Sequence, residues 1–152
     1  MHLAHYLGLL HKAQVDLAAA YREVGEAHGD EPDVRHLCQT LAGDCDHHAA
    51  QLAPFAERYG EDAPDEPDRL HAELFSGTRE GPIGLLRDLH DLYLMAAQCD
   101  MAWTLIGQAA QGARDEELYA VVQRCEGATA TQMKWLRTRM KQAAPQALVV
   151  AD

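Results

Sequence analysis

Two residues place a thiol and an imidazole one helical turn apart, Cys45 and His48 in the run Asp44-Cys45-Asp46-His47-His48. A three-residue step on a helix leaves both side chains on one face, and sulfur with imidazole nitrogen is a donor pair for zinc or copper(I). Cys99 and Cys125 are thiols that a folded chain would bring toward the same place, so Cys45, His48, Cys99 and Cys125 form the candidate set for one soft-metal ion. The plainer chemistry is packing. Free cysteine behaves as a small hydrophobe, and four cysteines (Cys38, Cys45, Cys99, Cys125) in 152 residues read as reduced core thiols rather than a disulfide framework. On that reading His48 is a core histidine bonded to Gln14 or Gln132, and no metal is favoured.

Other chemistry-bearing residues do not converge. Asp44, Asp46 and His47 fall off the apolar stripe of their helix and read as a solvated acidic face. His2, His5 and His11 share helical spacing without a common partner, and no Ser-His-Asp or Cys-His-Asn set follows from spacing. Trp103 and Trp135 read as core or subunit-contact aromatics, and Met95, Met101, Met133 and Met140 as packing residues.

The elements that must position these groups are four helices, each marked by apolar residues at steps of three and four. The first stripe is Leu3, Leu7, Leu10, Gln14, Leu17, Tyr21, Val24, which predicts a helix over 3–27 with Gly29 as its stop. Pro32 and Asp33 open a second helix over 33–59, with the stripe Val34, Cys38, Leu41, Cys45, His48, Leu52, Phe55, Tyr59 and a bend at Pro54. A third helix over 82–111 buries Leu85, Leu89, Leu92, Ala96, Cys99, Trp103, Ile106 and Ala110, and ends at Gly112. Asp115 caps a fourth over 116–143, whose stripe is Leu118, Val122, Cys125, Thr129, Gln132, Leu136, Met140 and which Pro145 ends. Residues 1–145 are expected to form one domain, with 146–152 a tail that docks through Leu148, Val149 and Val150. Residues 60–81, rich in Asp, Glu, Pro and Gly, form the connector, with a short helix expected over 67–75. Such a connector reaches roughly 50 Å, beyond the ~40 Å of a 27-residue helix, so it is long enough to cross the whole bundle.

Three of the stripes turn polar near mid-helix: Gln14 on the first, Cys45 and His48 on the second, Thr129 and Gln132 on the fourth. On the third helix Cys99 lies on the stripe and Gln98 beside it. Gln14 stands 31 residues before Cys45 and Gln98 31 before Thr129, and adding 84 carries 14, 45 and 48 onto 98, 129 and 132. The two halves look like copies. Because a buried unsatisfied polar group costs roughly 1–3 kcal/mol, these groups are expected to bond one another, a trapped water or a ligand.

With these positions the chain resembles the ferritin-like superfamily, and the rubrerythrin type in particular, across nearly its whole length. That family places a Glu on helix 1, Glu-x-x-His on helix 2, Glu on helix 3 and Glu-x-x-His on helix 4 around two irons. Matching spacing puts the six positions at Gln14, Cys45, His48, Gln98, Thr129 and Gln132. Tyr21, seven residues after Gln14, is similar to the Tyr of rubrerythrin-like helix 1, and His48-Ala-Ala-Gln-Leu52 with Phe55 and Gly60 is similar to helix 2 of the stress-associated ferritin-like proteins. The resemblance implies an all-α fold of two helical hairpins joined by a long crossover. Only His48 keeps a family ligand, however, and hard iron ions need carboxylates to balance their charge. Ferroxidase, peroxidase or oxygenase chemistry at a di-iron centre is therefore the last of three expectations, behind a mononuclear zinc or copper protein and, first, a non-catalytic bundle with a degenerate centre and no cofactor.

Composition narrows the partners. A formal charge of -11 has the wrong sign for neutralising phosphates, so nucleic acid is not expected. No apolar run approaches a membrane span, and Met1-His2-Leu3-Ala4-His5 lacks a signal-peptide pattern, which makes a cytoplasmic protein the expectation. Surplus apolar residues off the narrow stripes (Ile83, Leu86, Leu94, Leu105, Trp135) point to a homodimer, with a further protein partner left open.

Overall fold

Each of the four apolar stripes is helical in the computed structural model, which describes residues 2–60 and 73–152. The helices are α1 Leu3–Ala27, α2 Pro32–Gly60, α3 Gly81–Gly112 and α4 Glu116–Pro145, and the described residues contain no β-strand. Helix α1 packs on α2 and α3, and α4 packs on α2 and α3, so α1 faces α4 across one diagonal and α2 faces α3 across the other. The stripes meet in one core in which Leu7, Leu10, Leu52, Leu89, Leu92 and Leu118 are completely buried. Each such leucine contributes on the order of 1.5–3 kcal/mol relative to exposure.

Polar ties at the two ends fix how the helices align. At one end His28, just past α1, lies 2.8 Å from Oδ2 of Asp88 in α3, and Arg139 near the end of α4 donates to Asp33 and Glu31 at the start of α2. At the other end Arg58 and Tyr59, in the last turn of α2, donate to Asp115 at 2.9 and 2.6 Å. Asp115 also caps α4 by accepting from the Leu118 N–H. Burial alone would raise the Asp115 carboxyl, but bonds from Tyr59, Leu118 and Arg58 hold it below the usual carboxylate range. Helix α2 thus finishes at one end of the bundle and α3 begins at the other.

Several boundaries differ from the sequence expectation. The short helix over 67–75 falls mostly outside the described residues, and its last part, 73–75, belongs to a stretch without regular secondary structure. Pro145 is the last residue of α4, as expected, but the chain does not leave the bundle there. The backbone continues as a π turn over Gln146–Val150, closed by the Ala151 N–H on the Gln146 carbonyl, and it buries Ala147 while Leu148, Val149 and Val150 stay exposed. After Gly112 it is Arg114, at φ 56°, that takes the left-handed conformation in the turn to α4.

Candidate functional site

Heights along the bundle can be counted from contacts between helices. Gly25 packs so closely on α2 that a Cβ there would stand 2.9 Å from Cys38 Cβ, which puts these two residues at one height. Gln14 lies eleven residues before Gly25 and His48 ten after Cys38, so on antiparallel helices rising ~1.5 Å per residue they share a level. The His28–Asp88 contact aligns α1 with α3 in the same way: Gln14 is fourteen residues before His28, and Trp103 fifteen after Asp88. The Arg58–Asp115 pair does so for α2 and α4, with His48 ten residues before Arg58 and Cys125 ten after Asp115. Gln14, His48, Trp103 and Cys125, one from each helix, therefore form a lower level, and none is more than 4% exposed.

Tyr21, Cys45, Cys99, Thr129 and Gln132 occupy the turns above, toward the α1–α2 turn, and all are buried. There the polar groups find partners. The Tyr21 hydroxyl donates to Gln132 Oε1 at 3.0 Å across the α1–α4 diagonal, and the Cys45 sulfur lies 3.8 Å from both the oxygen and the nitrogen of the same amide. Thr129 spends its hydroxyl on the Cys125 carbonyl of its own helix, at 2.8 Å.

At the lower level they do not. Both amide atoms of Gln14, Nδ1 of His48 and Nε1 of Trp103 are buried without a hydrogen-bond partner among the described residues. The His48 ring meets Trp103 edge-on, with centroids 6.0 Å apart, across the α2–α3 diagonal. Cys125 donates outward to Gln51 Oε1 at 3.3 Å. Neither bond expected of His48 forms: Gln132 sits on the upper level, held by Tyr21 and Cys45, and Gln14 makes no bond to it.

Gln98 is not part of the layer. It is exposed, whereas Cys99 is fully buried, because the α3 stripe through Leu92, Ala96 and Trp103 passes through 99. A neighbouring residue on a helix is turned away by about 100°. Gln98 instead lines a groove of about 510 Å³ between α1 and α3, with Tyr6, Leu9, Phe75, Met95 and Met101 among its walls.

Electrostatically the centre is neutral. All four cysteines are free and buried. Burial pushes the thiols of Cys38 and Cys99 up to about 12 and that of Cys125 to about 11, and it raises Cys45 further still. Tyr21 is raised well above its ordinary value, chiefly by burial and then by Cys45. His48 is lowered by burial, which favours the uncharged imidazole. Among the described residues no three or more His, Cys, Asp or Glu side chains come together as a metal-holding group. Cys45, His48, Cys99 and Cys125 are thus not gathered into one ligand set, since Cys125 turns to Gln51 and Cys45 to Gln132.

Sequence reasoning missed two features. Trp103 read as plain core, yet it is the ring that meets His48, which the shared level of two diagonal helices decides. The second is the fully buried Asp88, which accepts from the Arg79 backbone and guanidinium at 2.9 and 2.8 Å beside His28, while the guanidinium also reaches Asp91. Gly84 makes room for this, because a Cβ there would meet the Arg79 carbonyl carbon at 2.7 Å. The available signal was a pair of aspartates directly beside the apolar stripe positions Leu89 and Leu92. Asp44, Asp46 and His47 are exposed as expected, with Arg22 paired to Asp46. No candidate membrane-spanning helix occurs among the described residues. Compared with protein-family models, with curated proteins and with solved structures, the chain matches none.

Proposed function

We propose that this chain is a ferritin-like bundle, its two hairpins joined by the long crossover of that fold, in which the metal centre has degenerated into a neutral polar core. It acts as a cytoplasmic, homodimeric structural or binding protein and not as an enzyme. The observation that supports this reading best is the charge-free centre. Of the six positions that match the family's ligands, Gln14, Cys45, His48, Thr129 and Gln132 are buried without a carboxylate among them, and Gln98 faces out of the core. Two iron ions there would lack the anionic ligands that stabilise them. The Tyr21–Gln132–Cys45 contacts make the upper level a packing device whose polar groups are already used.

Protein purified from iron-rich medium is expected to be colourless and to carry well under one iron per chain. About two irons per chain, the complement of an intact centre, or rapid oxidation of added ferrous iron, would overturn the proposal. Binding of one zinc or copper(I) that raises the melting temperature, with the rise lost in both His48→Ala and Cys45→Ser, would replace it with the soft-metal reading.

A further inference from the structure

We propose that Gln14, His48 and Trp103 form a buried binding site for a small uncharged molecule that both donates and accepts hydrogen bonds. This rests on the reading above in one respect, that the centre holds no iron. Three side chains on three helices reach one level of the core, and each brings a polar atom that none of the described residues satisfies. In the same core the Gln132 amide, one level up, is bonded by a phenol and a thiol. Polar groups of this degree of burial normally have partners, so the lower level departs from the rule where the upper one follows it.

The unpartnered atoms define the chemistry of the occupant. Trp103 Nε1 can only donate, so the occupant must accept. Gln14 Oε1 can only accept, so it must also donate, and Gln14 Nε2 offers two further donors. His48 Nδ1 serves in either sense according to its tautomer. An ion is disfavoured. The acidic, arginine and remaining histidine side chains buried among the described residues, Asp88, Asp91, Arg139 and His28, are tied into ion pairs at one end of the bundle and give no countercharge here, and burial raises the nearby thiols and Tyr21 toward their uncharged forms. A hydroxyl or amide group meets every requirement. Water and a small metabolite bearing such a group are its two sources, and buried waters typically make about three such bonds.

The test uses the whole 152-residue chain labelled with nitrogen-15. It has two indole N–H signals, Trp103 and Trp135, which Trp135→Phe assigns. The Trp103 indole proton is expected to show a nuclear Overhauser contact of long-lived, protein-bound sign to the water frequency, and Gln14→Leu is expected to abolish it. If that variant does not fold, Gln14→Met, closer in length to glutamine, takes its place. Contacts instead to carbon-bound protons of a molecule released on unfolding and identified by mass spectrometry would support the same site and name the metabolite as its source. A folded wild type whose Trp103 proton shows neither contact overturns the proposal, as does a water contact that persists unchanged in the Gln14 variant. Iron measured on the same sample separates the two readings: about two irons per chain sinks the functional proposal, whereas an iron-free sample without either contact sinks this one alone.

Discussion

Gln132 and Gln14 are the same residue type, equally buried, in opposite situations. Gln132 has its oxygen bonded by Tyr21 and its amide against the Cys45 sulfur, while Gln14 has no partner at either atom among the described residues. Removing the phenol oxygen should therefore be costly. Tyr21→Phe keeps the ring packing but leaves Gln132 Oε1 with only a thiol at 3.8 Å, and the expected loss is about 1–3 kcal/mol, read from the urea midpoint at unchanged slope. A midpoint equal to wild type would show that the diagonal bond contributes nothing. The high-lying thiols fit the same account, since Cys45 acts here as a small apolar group with a weak S–H rather than as a nucleophile.

Between helices, close approach decides what each glycine contributes. Gly25 and Gly43 both lie inside helices, and alanine is intrinsically better there by up to about 1 kcal/mol. A Cβ at Gly43 would meet nothing within 4 Å, whereas at Gly25 it would press on Cys38 Cβ at 2.9 Å. Gly43→Ala is thus expected to raise the melting temperature, while Gly25→Ala should destabilise by about 1–3 kcal/mol as α1 and α2 are forced apart. Equal effects of the two changes in parallel thermal melts would contradict the packing assigned to this helix pair. Gly84 belongs to the same class, because its bare Cα lets the chain before α3 bring Arg79 onto Asp88 and Asp91.

For the whole molecule, the outer face of α3 is an apolar surface that stays open among the described residues: Ile83, Leu94, Met101 and Leu105 are 57, 42, 58 and 44% exposed. The proposed homodimer would cover such a face. Light scattering at high micromolar concentration should give the mass of two chains, and Leu94→Glu combined with Leu105→Glu should give a monomer of unchanged helicity. A wild type that stays monomeric there would refute the dimer. The four helices, and the burial of Gln14, Cys45, His48, Thr129 and Gln132, were legible in the sequence because a 3.6-residue period fixes which residues share a face of one helix. The choice between Gln98 and Cys99 was not, since one residue is a turn of about 100° and only packing against the neighbouring helices sets that rotation. Nor could periodicity show that the polar layer divides into two levels, with Tyr21 bonded to Gln132 and Gln14 bonded to none of the described residues. Those pairings depend on how far each helix slides along its neighbours, and that shift is set by contacts distant in sequence, Gly25 on Cys38, His28 on Asp88 and Arg58 on Asp115, which exist only once the bundle has closed.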